Sequence, residues 1–387
     1  MSRGQPKSKT ALHVMPGVVG GHDGLPGKNA PAPAQTLDTA RRKTLDVQDY
    51  VDGVLSGDRT RLARAITLIE SNSTGHFAVA QDVLRAILPR TGGSIRVGIT
   101  GVPGAGKSTF IEALGSYLTG QGKRVAVMAV DPSSTVTGGS ILGDKTRMER
   151  LATDKMAFIR PSPSGGALGG VTRKTRETLL LFEAAGFDVA LVETVGVGQS
   201  ETAVRSMVDF FLLVLVSGAG DELQGIKKGV VELADAILIN KADGANVIPA
   251  QAARLEYERA LHYLQPATKG WQTIAMTASA LTGDGIAEVW GKIQDFVKLT
   301  RGSGAFQRRR QTQERDWLRA LIESHLVEKF YANNEIQRLL PAMDAAVMSG
   351  EMPAAAAAQK LLEAFHVTEN SHSPREWHGT GSSGVGP

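Results

Sequence analysis

Cysteine is absent from this chain of 387 residues. Its absence excludes disulfides, thiolate metal sites and cysteine nucleophiles, and it is compatible with a reducing compartment. A surplus of one charge is missing too: 43 Lys and Arg stand against 39 Asp and Glu, a net +4. So small an imbalance gives no footing for nucleic acid or a charged membrane surface, and neither is expected as a partner. No apolar run approaches the roughly 18 to 20 residues of a membrane helix. The longest, Phe210–Val216, has the length of a buried strand. The N-terminus lacks the charged-then-apolar order of a secretory signal. Residues 1–37 are nearly free of acids and rich in Gly and Pro, which suit an amphipathic presequence helix poorly. Residues 1–44 are therefore expected to form a disordered bacterial tail. The expected location is the cytoplasm, with the mitochondrial matrix as the alternative.

What is present, 42% apolar residues, is ample for one large core and a smaller appendage. From Leu45 to Pro89 apolar residues recur at helical spacing (Val47, Val51, Val54; Leu62, Ile66, Ile69; Val83, Leu84, Ile87), which predicts a helical domain over residues 45–92. At Ile95 the pattern changes to short β-rich runs alternating with helices. The predicted strands are Ile95–Thr100, Arg124–Val130, Met156–Arg160, Val189–Val192, Phe210–Val216, Ala236–Ile239 and Gln272–Met276. Most are apolar at consecutive residues, as strands covered on both faces are. Strands alternating with helices predict an α/β fold with a doubly wound, mostly parallel sheet over residues 93–302, its ligands at the strands' carboxyl ends. After Gly302-Ser303-Gly304 helical spacing returns, through Trp317, Leu321 and Ile336 to Leu361 and Phe365. This helical extension, residues 303–367, is either a dimerisation arm or a further layer on the same monomer. Residues 368–387, rich in Gly, Ser and His, are expected to be disordered.

The sharpest local signal is Gly101-Val102-Pro103-Gly104-Ala105-Gly106-Lys107-Ser108-Thr109, a full phosphate-loop pattern between a predicted strand and a predicted helix. Its glycines let main-chain amides turn inward around a phosphate, and the helix N-terminus adds its positive dipole end. Lys107 would neutralise β/γ-phosphate charge, and Ser108 would ligate Mg²⁺. Magnesium takes hard oxygen ligands, so one or two carboxylates are expected nearby. Asp131, Asp144 and Glu193 are the candidates; each also fits a plain cap of the following turn or helix. Glu193-Thr194-Val195-Gly196 sits where GTPases commonly carry Asp-x-x-Gly, with Glu in place of Asp. In that role Glu193 holds a metal-bound water and the Gly196 amide senses the γ-phosphate.

Asn240-Lys241-Ala242-Asp243 follows an apolar strand and fits the guanine pattern Asn-Lys-x-Asp. A carboxylate accepts from both guanine N1–H and the 2-amino group, donors that adenine lacks, so GTP is expected over ATP. The aliphatic stem of Lys241 would cover the base. One strand later, a backbone N–H of Ser279-Ala280-Leu281 would bond the guanine carbonyl.

These segments resemble the MeaB/ArgK/MMAA family of GTPases, within the SIMIBI class of P-loop proteins. The resemblance is carried by Gly101–Thr109, Asp131–Ser134, Gly138–Met148, Glu193–Glu201, Gly218–Lys228 and Asn240–Asp243, and it spans most of residues 45–365. It implies a homodimeric G-protein chaperone that couples GTP hydrolysis to loading and protecting the adenosylcobalamin of methylmalonyl-CoA mutase or a related acyl-CoA mutase. It also implies a helical N-terminal part and a C-terminal dimerisation arm. With no Cys, eight scattered His and no Asp-x-His-x-x-Gly motif, the chain is expected to hold no directly ligated cobalamin.

For hydrolysis, Glu193 or Asp144 would orient water through the metal. Lys227, or its neighbour Lys228, would bring positive charge to the γ-phosphate, unless both are merely solvated at a helix start. Two rival functions stay open: a small-molecule kinase using a nucleoside triphosphate, and a non-turnover module that uses GTP only as a conformational ligand.

Overall fold

The structure, a computed structural model, describes residues 45–130, 148–161, 168–194, 200–218 and 228–371. Three helices come first: α1 (Val47–Leu55), α2 (Arg59–Glu70) and α3 (Thr74–Ile87). Asp46 and Asp58 begin the first two by accepting hydrogen bonds from their opening amides. Strands and helices then alternate: β1 (Ile95–Gly101), α4 (Lys107–Gly120), β2 (Val125–Val130), α5 (Glu149–Thr153), β3 (Ala157–Arg160), α6 (Leu168–Ala184), β4 (Val189–Thr194) and α7 (Ser200–Arg205). They continue through β5 (Phe210–Val216), α8 (Lys228–Leu233), β6 (Ala236–Asn240), α9 (Val247–Leu261), β7 (Ile274–Thr277) and α10 (Ile286–Gly302). A helical stretch closes the described chain: α11 (Ala305–Ala332), α12 (Asn334–Met348) and α13 (Ala354–Ser371).

The strands form one sheet in the order β3-β2-β4-β1-β5-β6-β7, and every pairing in it is parallel. The apolar runs Val-Ala-Val-Met-Ala-Val of β2 and Phe-Phe-Leu-Leu-Val-Leu-Val of β5 explain why: both faces of each strand need covering, and helical crossovers supply the cover. Because successive side chains point to opposite faces, the layers can be assigned by parity. Val97, Ile99, Leu191, Phe210 and Leu212 pack with Phe110, Leu114, Trp290 and Phe296 of α4 and α10. Ala126, Met128, Ala190, Val192 and Phe211 pack with Leu179 and Phe182 of α6 and with Ile66, Ile69, Val83 and Ile87 of α2 and α3. The N-terminal helices thus share a core with the second face. Beyond the predicted limits, β4 extends through Glu193 and Thr194, so Glu193 belongs to the sheet itself. β7 is shorter than predicted, starting at Ile274.

Beneath the sheet, at the strands' N-terminal ends, lies a buried ionic network that roots α11. Arg310 donates to Asp209 from Nε (2.8 Å) and Nη2 (2.7 Å), and to the carbonyls of Ser94 (2.7 Å) and Gly92 (3.1 Å). Asp209 also accepts from the Arg96 amide at 2.8 Å. Arg96 forks onto Glu183 at 2.9 and 2.8 Å. Arg309 bonds the Asp209 carbonyl and Thr268, and Gln313 reaches the Val208 carbonyl at 2.9 Å.

Burial pushes the Glu183 carboxyl up, but the Arg96 bond and charge, the Arg310 charge and the Gly92 amide outweigh it and leave it below its ordinary 4.5. A depressed carboxylate gives stability that is complete above its ordinary value and is lost as pH falls through the lower folded value. Arg310→Ala leaves Asp209 buried without its counter-charge and is expected to cost about 3 kcal/mol or more in urea unfolding at neutral pH. Glu183→Gln should flatten the loss of stability below about pH 4.5, seen as a smaller change in melting temperature between pH 5 and pH 3.5.

Candidate functional site

β1 ends at Gly101, with φ 148°, beside Val214 of β5; a Cβ there would stand 1.9 Å from the Val214 carbonyl oxygen. Only glycine lets the chain leave the sheet so close to its neighbour. The loop then runs through Gly104 (φ 78°) and Gly106 (φ 81°) into α4 at Lys107. Ala105 is buried inside it, while Pro103, Gly104 and Thr109 are exposed. At the head of a 14-residue helix, such a loop gathers main-chain N–H groups and the positive end of the dipole, a setting for phosphate oxygens.

Lys107 is 92% buried, the complement of its 8% exposure, and its Nζ donates to the carbonyls of Gly101 (2.8 Å) and Val102 (3.2 Å). Burial lowers its ammonium below the usual lysine range, and the nearby carboxylates Glu193 and Glu201 act in the opposite sense. Glu193 is likewise buried, and its Oε1 accepts from Ser108 Oγ at 2.9 Å. The pairing of Ile99 with Glu193 between β1 and β4 sets this contact. One residue on, the Thr194 hydroxyl meets the Thr100 hydroxyl at 2.9 Å, joining the two strand ends below the loop. Glu201 was not singled out in the sequence; its only signal was its place in the Glu193–Glu201 segment. Asp131, Asp144 and Lys227 lie outside the described residues.

The base-side loop stands at the ends of β6 and β7. Asn240 engages both ends of its carboxamide within the protein. Its Nδ2 donates to the Ala105 carbonyl at 2.8 Å, and its Oδ1 accepts from the Ala280 amide at 3.2 Å. The Asp243 carboxylate accepts from Ser279 Oγ at 2.5 Å, and the Ser279 amide is engaged by the Asp284 carbonyl at 2.9 Å. Leu281 faces solvent, 82% exposed. Lys241 has φ 58°, and a Cβ placed on Gly106 would lie 3.8 Å from its Cε, so its stem leans toward the phosphate loop. Gly101 to Thr109, Glu193, Asn240 to Asp243 and Ser279 to Leu281 are thus brought to the carboxyl edge of one sheet. The arrangement offers phosphate-binding amides and cation at one end and a fixed carboxylate acceptor at the other.

The family model described as methylmalonyl-CoA mutase-associated GTPase MeaB matches residues 62–335. A relative from Caulobacter vibrioides named as a GTPase is 53% identical over 321 residues, covering 83% of this chain and 98% of its own. The GTPase ArgK of Escherichia coli is 52% identical over 282 residues, 73% of this chain and 85% of that protein. The mitochondrial methylmalonic aciduria type A homolog of Mus musculus is 46% identical over 332 residues, 82% of this chain and 80% of that one. A crystal structure titled LAO/AO transport system kinase superposes with a TM-score of 0.68 at 41% identity, over 83% of this chain and 97% of its own. With the family model matching residues 62–335 and relatives named as GTPases 52–53% identical over 73–83% of this chain, the chain belongs to the MeaB family and is a GTPase.

Proposed function

We propose that the chain is a guanine-nucleotide-driven chaperone, loading and protecting the adenosylcobalamin of methylmalonyl-CoA mutase or a close acyl-CoA mutase relative. The observation that carries this reading is the phosphate loop and a base-selecting carboxylate on one sheet edge, in a chain aligned over most of its length with proteins named for methylmalonic aciduria and for the mutase. GTP would lie with its phosphates against Gly101 to Thr109 and its base between the Lys241 stem and Asp243. Lys107 would exchange the loop carbonyls it now holds for phosphate oxygens, whose charge would restore its ammonium against the effect of burial. Asp243 would accept from the guanine N1–H and 2-amino group, with the Ser279 hydroxyl holding its second oxygen.

A magnesium ion fits the donor set, because the Ser108 hydroxyl and the Glu193 carboxylate are hard oxygens in direct contact at the helix head. Those two would hold it, with Asp131 and Asp144 as further candidates, and when bound it would neutralise phosphate charge. Glu193, fixed in β4, would orient the attacking water, and Lys227 would add charge at the γ-phosphate. The proposed location is the cytoplasm, with the matrix of the mitochondrion, the organelle in the mouse relative's name, as the alternative.

A homodimer is supported by α11, which beyond its root presents Leu318, Ile322 and Leu326, each at least half exposed and four residues apart. Such a stripe on one helix face would suit the seam with a second copy. The kinase reading keeps one specific support, the name of the 41% identical structure as a transport system kinase. It requires nucleotide consumption to depend on an added small metabolite.

Glu193→Gln should leave GDP affinity within about threefold but lower the GTP turnover rate by about a hundredfold, measured by phosphate release. Unaltered turnover would remove Glu193 from the mechanism. Affinity capture with the full chain, in its GDP and non-hydrolysable GTP states, is expected to recover a cobalamin-dependent acyl-CoA mutase. Recovery of none, with metabolite-dependent turnover, would favour the kinase. Ile322→Asp should convert a dimeric elution and light-scattering mass to that of the monomer while GDP binding persists; a mass unchanged from wild type would exclude this stripe as the seam.

A further inference from the structure

Asn246 stands at the N-cap of α9, where an Asn side chain ordinarily accepts a hydrogen bond from the helix's opening amides. Asn333 does this at the head of α12, accepting from the amides of Glu335 and Ile336. The Asn246 side chain does not cap its helix. Its Nδ2 donates instead to the Lys241 carbonyl at 2.6 Å, and its Oδ1 accepts from Ser217 Oγ at 2.6 Å. The helix forgoes its cap, and the carboxamide is turned back into the base-side loop.

What it grips there is the most constrained point of that loop. Among the described residues, Lys241 is the one non-glycine with a positive φ, 58°, a region that side chains disfavour. The Lys241–Ala242 peptide is held at both edges: its carbonyl by Asn246, and its N–H by the Ala278 carbonyl at 3.1 Å. The Asn246 amide closes the far side of the turn, donating to the Asp243 carbonyl at 2.9 Å. Turning the peptide over would swing the Lys241 stem away from the phosphate loop and re-aim Asp243.

We infer that Asn246, seated by Ser217, is a positioning residue for purine selection: it holds the Lys241–Ala242 peptide in the orientation that presents the Asp243 carboxylate to a 2-amino-6-oxopurine. This rests on Asp243 being the base reader. Both side chains act through Lys241 and Asp243. Ser217 follows β5, whereas Asn246 lies in the same β6–α9 connection as Lys241, so the clamp ties the crossover after β5 to the base loop.

The test compares GDP with inosine diphosphate, which lacks only the 2-amino group, by calorimetric titration of the full chain. Their affinity ratio reports the reading of the base edge and is insensitive to the phosphate loop. Asn246→Ala is expected to weaken GDP binding about tenfold and inosine diphosphate binding less, narrowing the ratio. Asn246→Ser, long enough to cap α9 but too short to reach Lys241, should behave as Asn246→Ala does. Ser217→Ala should shift the ratio in the same direction by a smaller factor, and it carries the test if the Asn246 variants fail to fold. A wild-type ratio in Asn246→Ser, or equal losses for both nucleotides in Asn246→Ala, overturns the proposal. Asp243→Asn distinguishes the underlying reading, because an amide donor there should favour xanthosine diphosphate. If that variant switches preference while Asn246→Ala keeps the wild-type ratio, the positioning role alone falls. If Asp243→Asn binds GDP as wild type does, the base reader and its clamp fall together.

Discussion

The Asn240 carboxamide is the interaction on which the site's geometry depends. It is 1% exposed, and a buried amide must spend its donors and its acceptor inside the protein. It donates to the phosphate loop at Ala105 and accepts from Ala280 after β7, so one side chain at the end of β6 ties the loop after β1 to the loop after β7. The strand order β1-β5-β6-β7 sets the span that this bridge must cover. Gly106 makes the bridge possible, since a Cβ there would press on Asn240 Nδ2 at 2.8 Å. The proposed phosphate end and base end of the site are therefore held at a fixed spacing by the protein itself, which lowers the ordering cost of binding.

Around that bridge the sheet supplies rigidity on both faces and polarity at its two ends. The carboxyl edge carries the loops of the candidate nucleotide site. The opposite edge carries charges that face each other: Arg96 with Glu183, and Arg310 with Asp209. Charges buried at this depth give stability only when fully paired, and here the pairs are completed from α11. The ionic network and the ligand site thus occupy opposite ends of the same strands and do not compete for counter-charges.

Much of this was legible in the sequence, because its signals were local. Strands buried on two faces announce themselves as unbroken apolar runs, and each predicted run overlaps a strand of the sheet. The phosphate loop is a contiguous pattern whose glycines have a backbone reason. Other features depend on residues far apart in the chain. Arg310 meets Asp209 across 101 positions, and on a helix full of charges it looks like one more solvated side chain. Asn246 and Ser217 resemble ordinary turn residues, and the left-handed conformation of Lys241 has no composition signal at all. Glu201 looks like a first-turn helix acid until burial places it near Lys107. Ser279 was expected to contribute through its backbone, yet its hydroxyl is what meets Asp243.

The root of α11 has a consequence for how the protein can be divided. Its side chains, Arg309, Arg310 and Gln313, satisfy carbonyls and carboxylates that belong to the floor of the catalytic sheet. A fragment cut at the Gly302-Ser303-Gly304 junction would expose that floor and strip Asp209 of its arginine partner. The C-terminal helices are therefore no detachable accessory of a self-sufficient nucleotide domain. Recombination or loss at that seam would be punished in folding before it was felt in binding, which fuses the inheritance of the two parts.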